Sequence, residues 1–183
     1  MIDITKEEIG LAIPKVKEGL KKYYLIQEKF NNVNIQKDFI FQKKFNGFYK
    51  VRRDAKWRES FYDIFENSIN TACTDFKTVL EQIHERTNRV EASFTSKLIA
   101  TINPNLPVLD KFVLDNTNLK LPYSGDKNRL NKIVKTYNEL IEKFDNFKKT
   151  ENGKYLVLKF QKEFPSYKIT ETKMIDLVLW QTR

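Results

Sequence analysis

Between Leu130 and Phe147 the apolar residues Leu130, Ile133, Val134, Tyr137, Leu140, Ile141, Phe144 and Phe147 recur at intervals of three and four. That spacing lines one face of a helix and suits no strand, whose faces alternate with every residue. The same repeat returns elsewhere. Trp57, Phe61, Ile64 and Phe65 form one apolar stripe, and Phe76, Val79, Leu80 and Ile83 form another. No run of alternating residues is long enough to build a sheet. With only five glycines and five prolines to punctuate the chain, the expected class is all-α, a compact multi-helix globule.

Helix starts are marked by residues whose side chains accept a free backbone N–H. Thr5-Lys6-Glu7-Glu8 has the capping-box pattern, and Pro14 is expected to kink or restart that helix. A second helix is expected over 15–30, broken at Asn31-Asn32. Phe41, Phe45, Phe48 and Tyr49 keep helical spacing, although Asn46-Gly47 leaves a helix end or a turn open there. Asp54, Thr74 and Asp126 are placed to cap three further helices. The stretch 90–102 reads as helix ending before Asn103-Pro104, and a short helix is expected near 110–114. Over 155–160 both strand and helix fit, and Lys162-Glu163 tilts the reading to helix. A last helix is expected over 170–181, with Met174, Ile175, Val178, Leu179 and Trp180 docking on the body.

The length of 183 residues suits a single helical domain over 1–183, with room for an N-terminal helical extension over 1–35. One cysteine, Cys73, excludes an internal disulfide and fits a reducing compartment. No stretch has the length and apolarity of a membrane span, and no leader pattern opens the chain. The expected location is therefore cytoplasmic, with no membrane partner. The glycines never cluster into a phosphate-cradling loop. One Cys and one His cannot make a protein-only zinc site, so no metal and no cofactor are expected. Cys73 and His84 lie eleven apart and are not expected to meet; His84 reads as a helix-surface residue beside Glu81 and Glu85.

Lysine and arginine exceed aspartate and glutamate by 33 to 24, a formal charge of +9. The excess is concentrated. Residues 37–58 carry Lys37, Lys43, Lys44, Lys50, Arg52, Arg53, Lys56 and Arg58 against Asp38 and Asp54, a net +6. Phe39, Phe41, Phe45, Phe48, Tyr49 and Trp57 interleave with them. Nucleic-acid binders need cations for phosphates and often aromatic faces for bases; the plain alternative is a buried aromatic face with a solvated cationic back. Arg52-Arg53 stands out, because guanidinium groups grip phosphate in bidentate fashion. The expected contacts to nucleic acid are Lys43, Lys44, Lys50, Arg52, Arg53, Arg89 and Lys97, with DNA as the first partner and RNA left open. For Lys97 a solvated helix position is the alternative.

The stretch from Thr87 to Leu98, TNRVEASFTSKL, followed by Leu106-Pro107-Val108-Leu109-Asp110-Lys111-Phe112-Val113, resembles the hairpin and catalytic segment of the helix-hairpin-helix DNA glycosylase superfamily. The resemblance implies an all-helical glycosylase-like fold and base excision on a flipped nucleotide. It gives Asp110 the carboxylate role, stabilising an oxocarbenium ion or activating water, and gives the hairpin's backbone N–H groups a phosphate. Thr87, Asn88 and Arg89 stand where the superfamily has hairpin glycines. Leu109 is an extra residue, and Glu91 falls near the place of the lysine used by lyase-active members. The implied activity is that of a monofunctional DNA glycosylase. The alternatives are a module that keeps the fold and binds without chemistry, and a protein–protein component. Asp110 also stands where an aspartate would cap a short helix.

Overall fold

The computed structural model describes residues 2–30 and 32–182. Among these residues every regular element is helical. In chain order they are α1 (Lys6–Ala12), a 3₁₀ turn (Ile13–Val16), α2 (Lys17–Phe30), α3 (Phe39–Tyr49), α4 (Ala55–Asn70), α5 (Phe76–Thr87), α6 (Ala92–Ile102), α7 (Lys111–Thr117), α8 (Arg129–Lys149), α9 (Glu151–Glu163) and α10 (Glu171–Leu179). The all-α class is as expected. Among the described residues no helix is long and apolar enough to cross a membrane.

Most of the starts follow from one device. Thr5, Asp38, Asp54, Asp75, Asp110, Thr150 and Thr170 each accept the backbone N–H three residues on, a bond that contributes about 1 kcal/mol per cap. Thr5 and Glu8 complete the capping box. Pro14 falls in the 3₁₀ turn, where its missing N–H separates α1 from α2. Asn31, expected with Asn32 to end the second helix, lies outside the described residues. Asn46-Gly47 does not interrupt α3, which runs on to Tyr49, and the 155–160 stretch is helix within α9.

Two expected caps are corrected. Asp75, not Thr74, caps α5, since its carboxylate reaches Thr78 N at 2.7 Å. Asp126 does not cap α8. That helix begins after Asn128 without a side-chain cap, and Asp126 instead accepts from Asn128 N at 3.0 Å and pairs with Lys132 at 2.6 Å.

The chain divides into two compact units, Met1–Glu18 with Pro104–Arg183 and Gly19–Asn103. In the first, α10 is the central element: every residue from Thr172 to Leu179 is buried. Ile133, Tyr137, Leu140, Phe144 and Phe147 of α8 bury the predicted stripe, and Leu156, Val157 and Phe160 do the same for α9. The second unit has an aromatic core. Phe45 packs against Tyr49 with ring centroids 4.7 Å apart and against Phe65 at 5.5 Å, and Trp57 stacks on Phe61 at 4.9 Å. Such contacts add about 0.5–1.5 kcal/mol each beyond the area they bury.

The corner between α8 and α9 is a single residue, Thr150, which ends one helix and caps the next. So tight a corner leaves no space at Gly153, where a Cβ would stand 1.9 Å from Phe147 O. The obstacle is backbone and cannot swing aside. Gly153→Ala is therefore expected to destabilise the protein by about 1–3 kcal/mol, although alanine is the better helix former. Urea denaturation would measure it, and a variant as stable as the wild type would disprove the packing account.

Candidate nucleic-acid interface

The cation-rich segment folds as a helix, a short link and the start of a second helix. Asp38 opens α3 by accepting from Phe41 N at 2.7 Å. The helix closes at Lys50, which adopts a left-handed conformation (φ 56°) and donates its N–H to Asn46 O. Val51 N returns to the same carbonyl at 3.0 Å. Three residues later Asp54 opens α4. The Trp57 N–H holds the Asp54 carboxyl below its ordinary range, with smaller help from the charge on Arg89.

This geometry sorts the segment's aromatics from its cations. Phe41, Phe45, Phe48, Tyr49 and Trp57 are buried, so these five rings belong to the core and are not stacking platforms. Phe39 differs, with 80% of its surface exposed. Lys43, Lys50, Arg52 and Lys56 are exposed, and Lys44 and Arg58 are half-buried. None of these six makes an ion pair among the described residues.

Arg53 departs from the expected phosphate-binding role. Its Nε donates to Glu91 Oε1 at 2.8 Å and its NH2 to Glu91 Oε2 at 3.1 Å, while NH1 donates to Arg52 O at 3.1 Å. The guanidinium also lies over Phe94, 5.1 Å from the ring centroid, and over Trp57 at 5.9 Å. The paired carboxylate raises the arginine's pKa further. Arg53 therefore braces the start of α4 against the N-terminus of α6. Arg52, its neighbour, stays in solvent.

Lys97 is a second correction. It is neither a solvated position nor a surface cation, being only 8% exposed. Its Nζ donates to Tyr49 O at 3.3 Å and lies over the rings of Phe94 and Tyr49. Snorkelling keeps most buried lysines in touch with water; here the ammonium is satisfied by a carbonyl and two aromatic faces.

The connection between α5 and α6 is a four-residue hairpin. Asn88 takes the left-handed conformation (φ 54°), which asparagine tolerates in place of glycine, and Arg89 projects into solvent. Arg89, Arg86 and Lys56 converge on a cavity of about 270 Å³ that Trp57, Thr87 and Asp54 also line. Arg86 is held by Asp63. Lys56 belongs to the cation-rich segment, but nothing in linear spacing joins it to Arg86, which lies on α5.

Asp110 belongs to the other unit. It caps α7, its Oδ1 accepting from Val113 N at 3.0 Å, and is half-buried. The segment leading to it is tied down three times. Thr170 Oγ1 donates to Pro104 O at 2.5 Å, Tyr137 OH to Pro107 O at 3.0 Å, and Val108 N to both carboxylate oxygens of Asp176 at 3.2 and 3.3 Å. Asp176 in turn pairs with Lys173 at 2.9 Å, both side chains being fully buried. The one trace of this ion pair in the sequence is the i,i+3 placement of opposite charges on a helix whose remaining residues from Met174 to Leu179 are apolar. No group of His, Cys, Asp and Glu suited to a metal ion occurs among the described residues.

Compared with known protein families, curated proteins and solved structures, the chain finds no match.

Proposed function

We propose that the chain binds nucleic acid, DNA first, through the cations of α3, the α3–α4 link, the start of α4 and the α5–α6 hairpin. The observation that carries the reading is the free state of those cations. Lys43, Lys50, Arg52, Lys56 and Arg89 stand exposed and form no salt bridge among the described residues, Arg89 acting on Asp54 only through a minor charge effect, whereas Arg53, Arg86 and Lys97 are engaged internally. Exposed cations on a polyanion release condensed counterions, so the affinity should fall with salt. Reversing Arg52 and Arg89 to glutamate should weaken retardation of a short duplex and reduce the slope of log affinity against log salt by roughly 2 or more, about one per phosphate contact removed. A wild-type protein that retards neither DNA nor RNA at low salt would end this reading.

Base excision is the second reading, favoured by Asp110. A half-buried carboxylate at the end of a segment braced at Pro104, Pro107 and Val108 is held in place, which is what electrostatic stabilisation of an oxocarbenium ion requires. The finer fold reading, a helix-hairpin-helix glycosylase-like arrangement, draws its support from the α5–α6 hairpin and from α7 following a proline-bearing segment. A module of this fold that binds without chemistry shares the same cationic face.

A further inference from the structure

The groove between α3 and α4 carries features that phosphate binding does not need. It encloses about 530 Å³, within the roughly 300–1,000 Å³ of small-molecule sites. Phe39, Gln42, Lys43 and Asn46 line it from α3, at i, i+3, i+4 and i+7, and Arg58 and Tyr62 line it from α4. Phe39 is four-fifths exposed at the start of α3, an unusual position for a phenylalanine in a protein with so large an aromatic core.

The two carboxamides are fixed by the fold with one half of each left over. Gln42 Nε2 donates to Ile35 O at 3.0 Å and Gln36 O at 2.9 Å, which leaves Oε1 as an acceptor. Asn46 Oδ1 accepts from Tyr62 OH at 2.7 Å, which leaves Nδ2 as a donor. Neither remaining atom has a partner among the described residues. They sit one helical turn apart on the same face. An acceptor beside a donor is the complement of a base edge, an exposed ring is a stacking platform for any base, and Lys43 and Arg58 supply charge for the flanking phosphates.

We infer that the α3–α4 groove receives one unpaired nucleobase of a bound strand, stacked on Phe39 and met at its edge by Gln42 and Asn46. The inference rests on the nucleic-acid reading above and narrows its ligand to a strand with a base out of its pair.

The test uses fluorescence anisotropy on three labelled duplexes: one fully paired, one with a single bulged adenine, and one with an abasic bulge at the same position. The adenine bulge should bind tighter than the other two by about tenfold or more, the lower part of the range that base–aromatic stacking supplies. Phe39→Ala should remove that preference, Phe39→Trp should keep it and Phe39→Leu should not, because a ring face and not mere apolarity is required. A 2-aminopurine in the bulge should lose fluorescence on binding the wild type and not on binding Phe39→Ala. Equal affinity for the three duplexes overturns the inference while leaving the phosphate-binding reading intact. Failure to bind any of them removes both. Displacement of the bulged duplex by micromolar adenosine monophosphate would assign the groove to a free nucleotide and overturn the strand assignment.

Discussion

Replacing Asp176 with leucine is expected to destabilise the protein by about 3–5 kcal/mol, whereas the Lys173→Met, Asp176→Leu double replacement costs much less. Both side chains are fully buried on α10 and lie 2.9 Å apart. Removing Asp176 takes from the buried Lys173 ammonium the carboxylate it meets at 2.9 Å. Removing both takes away the desolvation cost of each and restores apolar packing on a helix that is buried all round. The double variant still orphans Val108 N, which donates to Asp176, a penalty of about 1–3 kcal/mol. Equilibrium urea denaturation ranks the two, and a double variant less stable than the single one would contradict the account.

The same pair gives a pH dependence of definite sign. Burial pushes the Asp176 carboxyl up to about 6, against the opposing charge and hydrogen bond of Lys173 and the Val108 N–H. Its ordinary value is about 3.9. Between these limits the folded protein holds a proton that the unfolded chain has lost, so this group's contribution to stability falls as pH rises from about 4 to about 6. Asp176→Asn, neutral throughout, should lack that fall. The capping carboxylates Asp38, Asp54 and Asp75 are held below their ordinary range, chiefly by backbone N–H donors. They act oppositely: their stabilisation is complete above about pH 4 and is lost as the pH drops through their lowered values.

Asp110→Asn is expected to lower base release from damaged duplex DNA by a hundredfold or more, the order that a positioned acid–base group supplies, and to leave stability within about 0.5 kcal/mol of the wild type. The change is nearly isosteric, and asparagine's oxygen still accepts from Val113 N, which Asp110 Oδ1 meets at 3.0 Å. What disappears is the negative charge. Asp110→Ala is a poorer probe, since losing the cap costs about 1 kcal/mol and mimics a catalytic defect. No borohydride-trapped covalent adduct should form, because Lys97 is buried with its ammonium on Tyr49 O. Wild-type protein that releases nothing from duplexes bearing deaminated, oxidised or alkylated bases would leave the binding module as the surviving reading. A trapped adduct would show that a lysine reaches the sugar after all.

The helices were legible because local chemistry and burial agree: Thr5 and Asp54 mark starts, and the 3.6-residue repeat marks faces. Caps were less secure where two candidates adjoin, as Thr74 and Asp75 do, since composition cannot say which oxygen meets the N–H three residues on. The site was harder. Sequence separates Arg52 from Arg53 by nothing; only the approach of Glu91, 38 residues later, neutralises one and leaves the other free. Lys97 reads as a surface residue because burial of an ammonium is costly, and its partners become visible only in three dimensions. The α3–α4 groove left a readable trace, the i, i+3, i+4, i+7 set of Phe39, Gln42, Lys43 and Asn46, but its meaning depends on which halves of the carboxamides the fold uses.

The first unit is assembled from two stretches of chain with all of Gly19–Asn103 between them, and that order bears on how the protein emerges from the ribosome. The intervening unit is contiguous and has its own aromatic core, so it has its internal partners as soon as α6 is made. The face of α1 and the turn after it, Ile9, Ala12, Ile13 and Val16, packs against α9 and α10 and must wait for both. Closing so long a loop costs only slightly more than closing a short one at equilibrium, but it slows the search. Nascent chains arrested after α6 should therefore protect the middle of the sequence from protease while leaving its beginning open to cleavage.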